Sequence, residues 1–224
     1  MPPGPAIRRR LGRLELPLVR GYRALYVSLP ALAERVAART GDRAAVLEIG
    51  CGDGQLTRAV AARFPAATIT GIDVLDAPGR LYDGPRERVS FHTAAAGAFG
   101  AAHARSFDLV LVCDVLHHAP RAEHRGLLEG ARAALAPDGW LVVKDWRPSR
   151  TPIHALACAS DRWLSGQRPA FQTAGYLREL VEGALGEGSV RAQEHVPPWR
   201  SNVLLFARPQ AVAAAPAARH DARP

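Results

Sequence analysis

Lysine is almost missing from this chain: Lys144 stands alone against 28 arginines. A bias of that kind acts on the whole composition, so the formal net charge of +8 says little about a nucleic-acid partner. The charge is also uneven, with +6 on residues 1–43, none on 44–150 and +2 on 151–224. The neutral middle promises no basic cleft, which argues against nucleic acid. Cysteine is scarce too. Cys51, Cys113 and Cys158 are too scattered for a disulfide framework or a zinc cluster, and a reducing cytoplasm is the expected compartment. No stretch approaches the ~18 uninterrupted apolar residues of a spanning helix. The arginines of the opening MPPGPAIRRRLGRLELPL are followed by neither an apolar run nor a small-residue cleavage site, which argues against a secretory leader. What remains is ordinary globular material: 224 residues, 48% apolar and 22% charged, enough for one domain with a sizeable core.

Four prolines and an arginine cluster make residues 1–17 a mobile arm. From Leu18 to Leu29 the apolar residues recur at helical spacing, and a second helix is expected over Ala31–Arg39. These N-terminal helices, residues 18–43, are expected to form a lid or a membrane-facing element. The period then changes. Short apolar runs at Ala44–Ile49, Ala67–Val74, Val89–Thr93, Phe107–Cys113 and Trp140–Lys144 read as buried parallel strands. Helices are predicted over Gln55–Phe64, over Pro120–Leu135 and from a Thr173 cap to Leu185. Asp76-Ala-Pro-Gly and Asp83-Gly-Pro break any helix between the second and third strands, so an irregular crossover is expected there. Residues 146–172 read as irregular with helical turns. Two further strands, Ser189–Val196 and Val203–Ala207, precede an alanine- and proline-rich tail, 209–224, without amphipathic period. Alternating strands and helices predict an α/β domain with a mostly parallel sheet covered on both faces. Ligands of such sheets bind beyond the carboxyl ends of the strands.

The first strand runs into Glu48-Ile49-Gly50-Cys51-Gly52-Asp53-Gly54. Three glycines in five positions allow a sharp turn and close backbone approach, and the following helix offers amides and a positive dipole end to an anionic group such as a carboxylate. The second strand ends in Gly71-Ile72-Asp73, where an acid can accept from both hydroxyls of a ribose. One ligand with a ribose and a carboxylate satisfies both ends. A dinucleotide fits less well, because Gln55 stands where its fingerprint wants glycine and Glu48 would repel a pyrophosphate. A phosphate loop would need Gly-Lys-Ser/Thr, which is absent.

VLEIGCGDG at 46–54, GIDV at 71–74, FDLVLVCDVLHHAP at 107–120 and LAPDGWLVVKDW at 135–146 resemble, in order, the motifs of class I S-adenosylmethionine-dependent methyltransferases. The resemblance covers residues 44–207 and sets the domain at 44–208. It implies a Rossmann-like, doubly wound, seven-stranded sheet with an antiparallel last strand, and S-adenosyl-L-methionine as cofactor. It further implies that Glu48, Gly50, Cys51 and Gly52 shape the pocket under the methionine part. Asp73 takes the ribose hydroxyls and Val74 packs on the adenine. Cys113 and Asp114 lie near the methionine amino group and the methyl, and His118 faces the substrate. The family often has an acid after the third strand; here Thr93 or backbone groups must serve the adenine.

A sulfonium methyl is already activated, so alignment and a dry cavity are the main requirements, with a base only if the acceptor must lose a proton. Asp114, His117, His118 and His124 are the candidates, and His118 is the one expected to face substrate; a structural role for it stays open. Lys144 could steer an anionic substrate, or could simply pair with Asp145. Cys51 and Cys113 read as small core residues. Residues 147–172, with His154, Asp161, Arg162, Trp163, Arg168 and Phe171, and the stretch Pro197–Asn202 are expected to wall the acceptor site. The Asp/Asn-Pro-Pro-Tyr/Phe of amino-group methylation is absent after the fourth strand, as is the Pro-Cys of cytosine methylation, which favours a small organic acceptor. The alternatives are a lipid or quinone reached by peripheral membrane contact through residues 7–29, an RNA substrate, and a silent cofactor-binding module. No sequence feature sets the oligomeric state.

Overall fold

The computed structural model describes residues 12–164 and 169–210, without the side chains of Arg13 and of 160–164. A single 3-10 turn, Gly12–Leu14, leads into helix α1, Glu15–Tyr26, followed by α2, Leu29–Thr40. The first helix thus begins three residues before the expected Leu18. Glu15 is buried and ion-paired with Arg80, which holds the first turn that the prolines alone would have left loose. Residues 1–11 of the expected arm and 211–224 of the expected tail lie outside the described residues.

The body alternates as the sequence predicts: β1 (Ala45–Ile49), α3 (Gln55–Arg63), β2 (Thr68–Asp73), β3 (Val89–Thr93), α4 (Ala96–Ala102), β4 (Phe107–Cys113), α5 (His124–Ala134), β5 (Leu135–Trp146), α6 (Pro152–Leu164), α7 (Ala174–Leu185), β6 (Val190–His195) and β7 (Asn202–Ala207). The seven strands lie in the order β3-β2-β1-β4-β5-β7-β6. The first five are parallel, and β7 runs antiparallel to both β5 and β6. The doubly wound sheet with its antiparallel last strand is therefore present. Alternate residues of the central strands enter two different cores. Val46, Ile69, Leu109 and Val142 pack under α2 and α3, while Leu47, Ile72, Val110 and Leu141 pack against α5 and α7. Burial on both faces is why these strands read as unbroken apolar runs, each buried Leu or Ile contributing about 1.5–3 kcal/mol.

Three elements differ from the sequence expectation. Helix α4, AGAFGAA, has no amphipathic pattern to reveal it. It exists because Gly100 lies against Gly130 of α5, where a Cβ would come within 2.1 Å of the Gly130 carbonyl oxygen. Pro137-Asp138-Gly139 reads as a turn before β5 but lies within it. The pairing jumps from Phe107↔Leu135 to Leu109↔Trp140, so the extra residues form a bulge. Residues 152–164 form a whole helix rather than isolated turns. No helix among the described residues is long and apolar enough to cross a membrane.

Candidate active site

The carboxyl ends of β1, β2, β4 and β5 bring the predicted residues to one edge of the sheet. After β1 the chain turns through Gly50 (φ 75°), Gly52 (φ 52°) and Gly54 (φ 85°), all left-handed. At Gly50 a Cβ would lie 2.2 Å from Val115 Cγ2, so the segment after β4 closes directly on this turn. Above Gly52 the space is open. Asp73, at the end of β2, accepts from the Gly52 N–H at 2.8 Å and, through its other oxygen, from the Leu75 N–H at 3.0 Å. That fixes the carboxylate between loop and strand and leaves lone pairs for two hydroxyls. Beside it Val74 and Leu75 are 70% and 64% exposed. Two adjacent apolar side chains are thus left in solvent next to a fixed acid. Thr93 is exposed and donates weakly to the Leu75 carbonyl at 3.4 Å.

Glu48 lies beneath the turn, fully buried, accepting from Thr57 Oγ1 at 2.6 Å. Burial raises its pKa to about 8 and the Thr57 hydrogen bond only partly offsets this. A buried acid so placed would be ionised by an ammonium brought close to it. Burial also raises the Cys51 and Cys113 thiols, which makes them unreactive packing residues.

At the end of β4, Asp114 adopts φ 57° and donates its backbone N–H to the Lys144 carbonyl at 2.8 Å. Lys144 Nζ meets both Asp114 oxygens, at 2.6 and 2.7 Å. Burial works against the Asp114 carboxylate, but the Lys144 ammonium, His117 and Arg23 together outweigh it and hold the group below its ordinary range. Lys144 therefore pairs with Asp114 and not with its neighbour Asp145. Asp145 points to the other side of β5, where it accepts from the Trp146 N–H at 2.7 Å and from both His117 Nδ1, at 2.5 Å, and the His117 N–H, at 3.2 Å. The sequence reading ranked His117 below His118; the structure gives it an aspartate-backed geometry that no local motif announces. His118 packs on the His117 ring at 4.0 Å. It keeps an exposed edge, yet burial of its packed side and then the neighbouring His117 bring its pKa down to about 4. It is a neutral hydrogen-bond acceptor at pH 7. His124 is not part of this group: its ring is buried between Tyr176 Oη and the Ala119 carbonyl, each at 3.1 Å. Donor atoms of Asp114, His117 and Asp145 lie within 4.8 Å of one another, but all three already hold the bonds just described.

Helix α1 lies across this edge. Arg23 pairs with Asp53 of the glycine turn at 3.1 Å. Arg20 reaches Asp83 of the crossover at 2.7 Å and Gln55 at 3.0 Å, and Tyr26 packs edge-on against Trp146. His154 and Phe171 of the expected wall come to the same place. The side chains of Asp161, Arg162, Trp163 and Arg168 lie outside the described residues.

Doubly wound sheets with a glycine turn after the first strand and an acid after the second are a recurrent nucleoside-binding arrangement. Comparison with known proteins narrows this. The methyltransferase domain family matches residues 47–141. Trans-aconitate 2-methyltransferase of Streptomyces avermitilis is 33% identical over 171 residues, covering 69% of this chain and 61% of that protein. Ubiquinone biosynthesis O-methyltransferase of Aromatoleum aromaticum is 38% identical over 92 residues, 39% of this chain and 37% of the relative. The chain thus spans less than two thirds of the length of these relatives. The solved 1,6-didemethyltoxoflavin-N1-methyltransferase of Burkholderia thailandensis, with S-adenosylhomocysteine bound, shares the fold at a TM-score of 0.65 and 20% identity, over 94% of this chain and 91% of that one. Residues 47–141 thus carry a methyltransferase domain, on the fold of the solved methyltransferase.

Proposed function

We propose that the protein moves a methyl group from S-adenosyl-L-methionine to a small organic acceptor. One observation carries this reading: the Asp73 carboxylate is tied to the Gly52 N–H, so the ribose acid and the glycine turn form one rigid cradle. In it Asp73 would take the ribose hydroxyls, Val74 and Leu75 would carry the adenine, with Thr93 at its edge. Gly50, Cys51 and Gly52 would border the methionine part, and Glu48 would balance its ammonium. When bound, the cofactor supplies an activated methyl. The chain's own residues align and desolvate. Lys144 fixes Asp114 beside Cys113 at the donor end, and His118 offers a neutral nitrogen to the acceptor's proton. Helix α1 serves as a lid, since Arg23 and Tyr26 touch the glycine turn and Trp146. We assign the protein to the cytoplasm on the absence of a cysteine framework. Calorimetry with S-adenosylhomocysteine followed by an acceptor screen read by product mass tests the proposal; no binding of the nucleoside would end it.

A second reading rests on Leu14, Leu18 and Leu25, 65%, 54% and 55% exposed along one side of the N-terminal segment. It places the same enzyme on an anionic membrane, acting on a lipid or quinone. Sedimentation with anionic vesicles checks it: Leu18→Glu/Leu25→Glu should abolish recovery, and equal recovery would remove this reading.

A further inference from the structure

Seven rings run unbroken along the carboxyl edge of the sheet. Tyr22 and Tyr26 are 5.0 Å apart between centroids, Tyr26 and Trp146 6.0 Å, and Trp146 and His154 6.5 Å with nearly parallel planes. The run continues from His154 to Phe171 at 4.9 Å, from Phe171 to His117 at 5.1 Å and from His117 to His118 at 4.0 Å. The rings come from α1, the end of β5, α6, the segment before α7 and the turn after β4. Trp146 is buried with the core, and none of the seven belongs to either apolar layer of the sheet. Tyr22, Tyr26, His154, Phe171 and His118 all keep part of their surface in solvent, and only Trp146 and His117 are buried. Among the described residues, five cations near this edge are matched to carboxylates: Arg20 and Arg58 to Asp83, Arg23 to Asp53, Arg80 to Glu15, Lys144 to Asp114. A polycarboxylate held by these five would have to break their pairs. A flat apolar face would not.

We infer that the acceptor is a planar aromatic or heteroaromatic molecule bearing a hydroxyl, laid against this wall with the hydroxyl at His118. The inference rests on the methyltransferase reading and names its substrate class. In the transfer the acceptor's oxygen–carbon bond forms as the donor's sulfur–carbon bond breaks. The hydroxyl proton passes to His118, and the sulfonium becomes a neutral thioether. Ring contact of this kind is worth about threefold to tenfold in affinity per aromatic partner.

The test titrates the full chain, saturated with S-adenosylhomocysteine, with four probes: catechol, 2,3-dihydroxynaphthalene, cyclohexane-1,2-diol and propane-1,2,3-tricarboxylate. Both aromatic diols should bind at least about tenfold more tightly than the saturated diol and the tricarboxylate. Phe171→Leu, which keeps apolar volume but removes a π-face, should lower aromatic affinity about threefold to tenfold and leave S-adenosylhomocysteine affinity unchanged. Equal or tighter binding of either non-aromatic probe, failure of both aromatic probes, or unaltered aromatic affinity in Phe171→Leu would overturn the substrate class while the methyltransferase reading stands. Failure of S-adenosylhomocysteine itself to bind would instead strike that reading, and the substrate class with it.

Discussion

Asp145 grips His117 twice, accepting from ring Nδ1 at 2.5 Å and from the backbone N–H at 3.2 Å. The tautomer and the plane of that ring are set from below, and His118 packs on it. In the proposed transfer Asp145 would act on the acceptor through these rings, as a positioning residue. Asp145→Asn keeps one acceptor oxygen of the two: turned to the His117 N–H, it presents an amide NH2 to ring Nδ1 and reverses the ring tautomer. We expect kcat for the accepted substrate to fall by about 10²–10³ with S-adenosylhomocysteine affinity preserved, as loss of a preorganised contact does. Equal losses in both would mark a purely structural role.

His118 titrates near 4, so it is already neutral at pH 7 and remains so on acidification to pH 5. The pH profile of kcat/KM should show no acid limb near 6.5, the ordinary histidine value. His118→Ala should lower kcat by about 10²–10⁴, the usual contribution of a positioned proton acceptor.

Glu48 carries a folded-state pKa of about 8 against 4.5 for the free side chain. The folded chain therefore keeps a proton that the unfolded chain releases. Stability from this group is fully present below pH 4.5 and is lost progressively as pH rises from about 4.5 to 8. Glu48→Gln should flatten that part of the curve of Tm against pH. If an ammonium of the nucleoside ligand sits beside it, binding at pH 7 releases a proton, visible as a calorimetric enthalpy that varies with buffer ionisation heat.

Asp73→Ala removes the ribose acceptor and frees the Gly52 and Leu75 N–H groups together. A loss of roughly 1–3 kcal/mol in S-adenosylhomocysteine binding follows from the missing charged hydrogen bonds. Unchanged affinity by calorimetry would contradict the ribose assignment.

The Lys144–Asp114 pair has one fully buried partner and one 32% exposed. Asp114→Asn strands a buried ammonium and should cost about 3–5 kcal/mol in denaturant unfolding, whereas Lys144→Met with Asp114→Asn should recover most of it.

The strand edges, the glycine turn and the acid that ends β2 were legible because each depends on local chemistry: apolar runs, left-handed φ and a carboxylate at a strand end. Helix α4 was not, since its reason for existing is a glycine on another helix. The Asp145–His117 contact joins residues 28 apart and leaves no motif. The pairing of Lys144 was legible and misjudged. Consecutive strand residues face opposite sides, which already forbids Lys144 from meeting Asp145. The ring wall needed five elements brought together, which no linear spacing can announce.

The ion pairs of α1 have a consequence for engineering. Arg20 and Arg23 find their carboxylates at Asp83 and Asp53, and Glu15 finds Arg80, so the helix is addressed to three positions on two loops of the domain. A graft exchanging this helix for that of a relative would have to carry those three loop residues with it, or the transplanted segment would have nowhere to land.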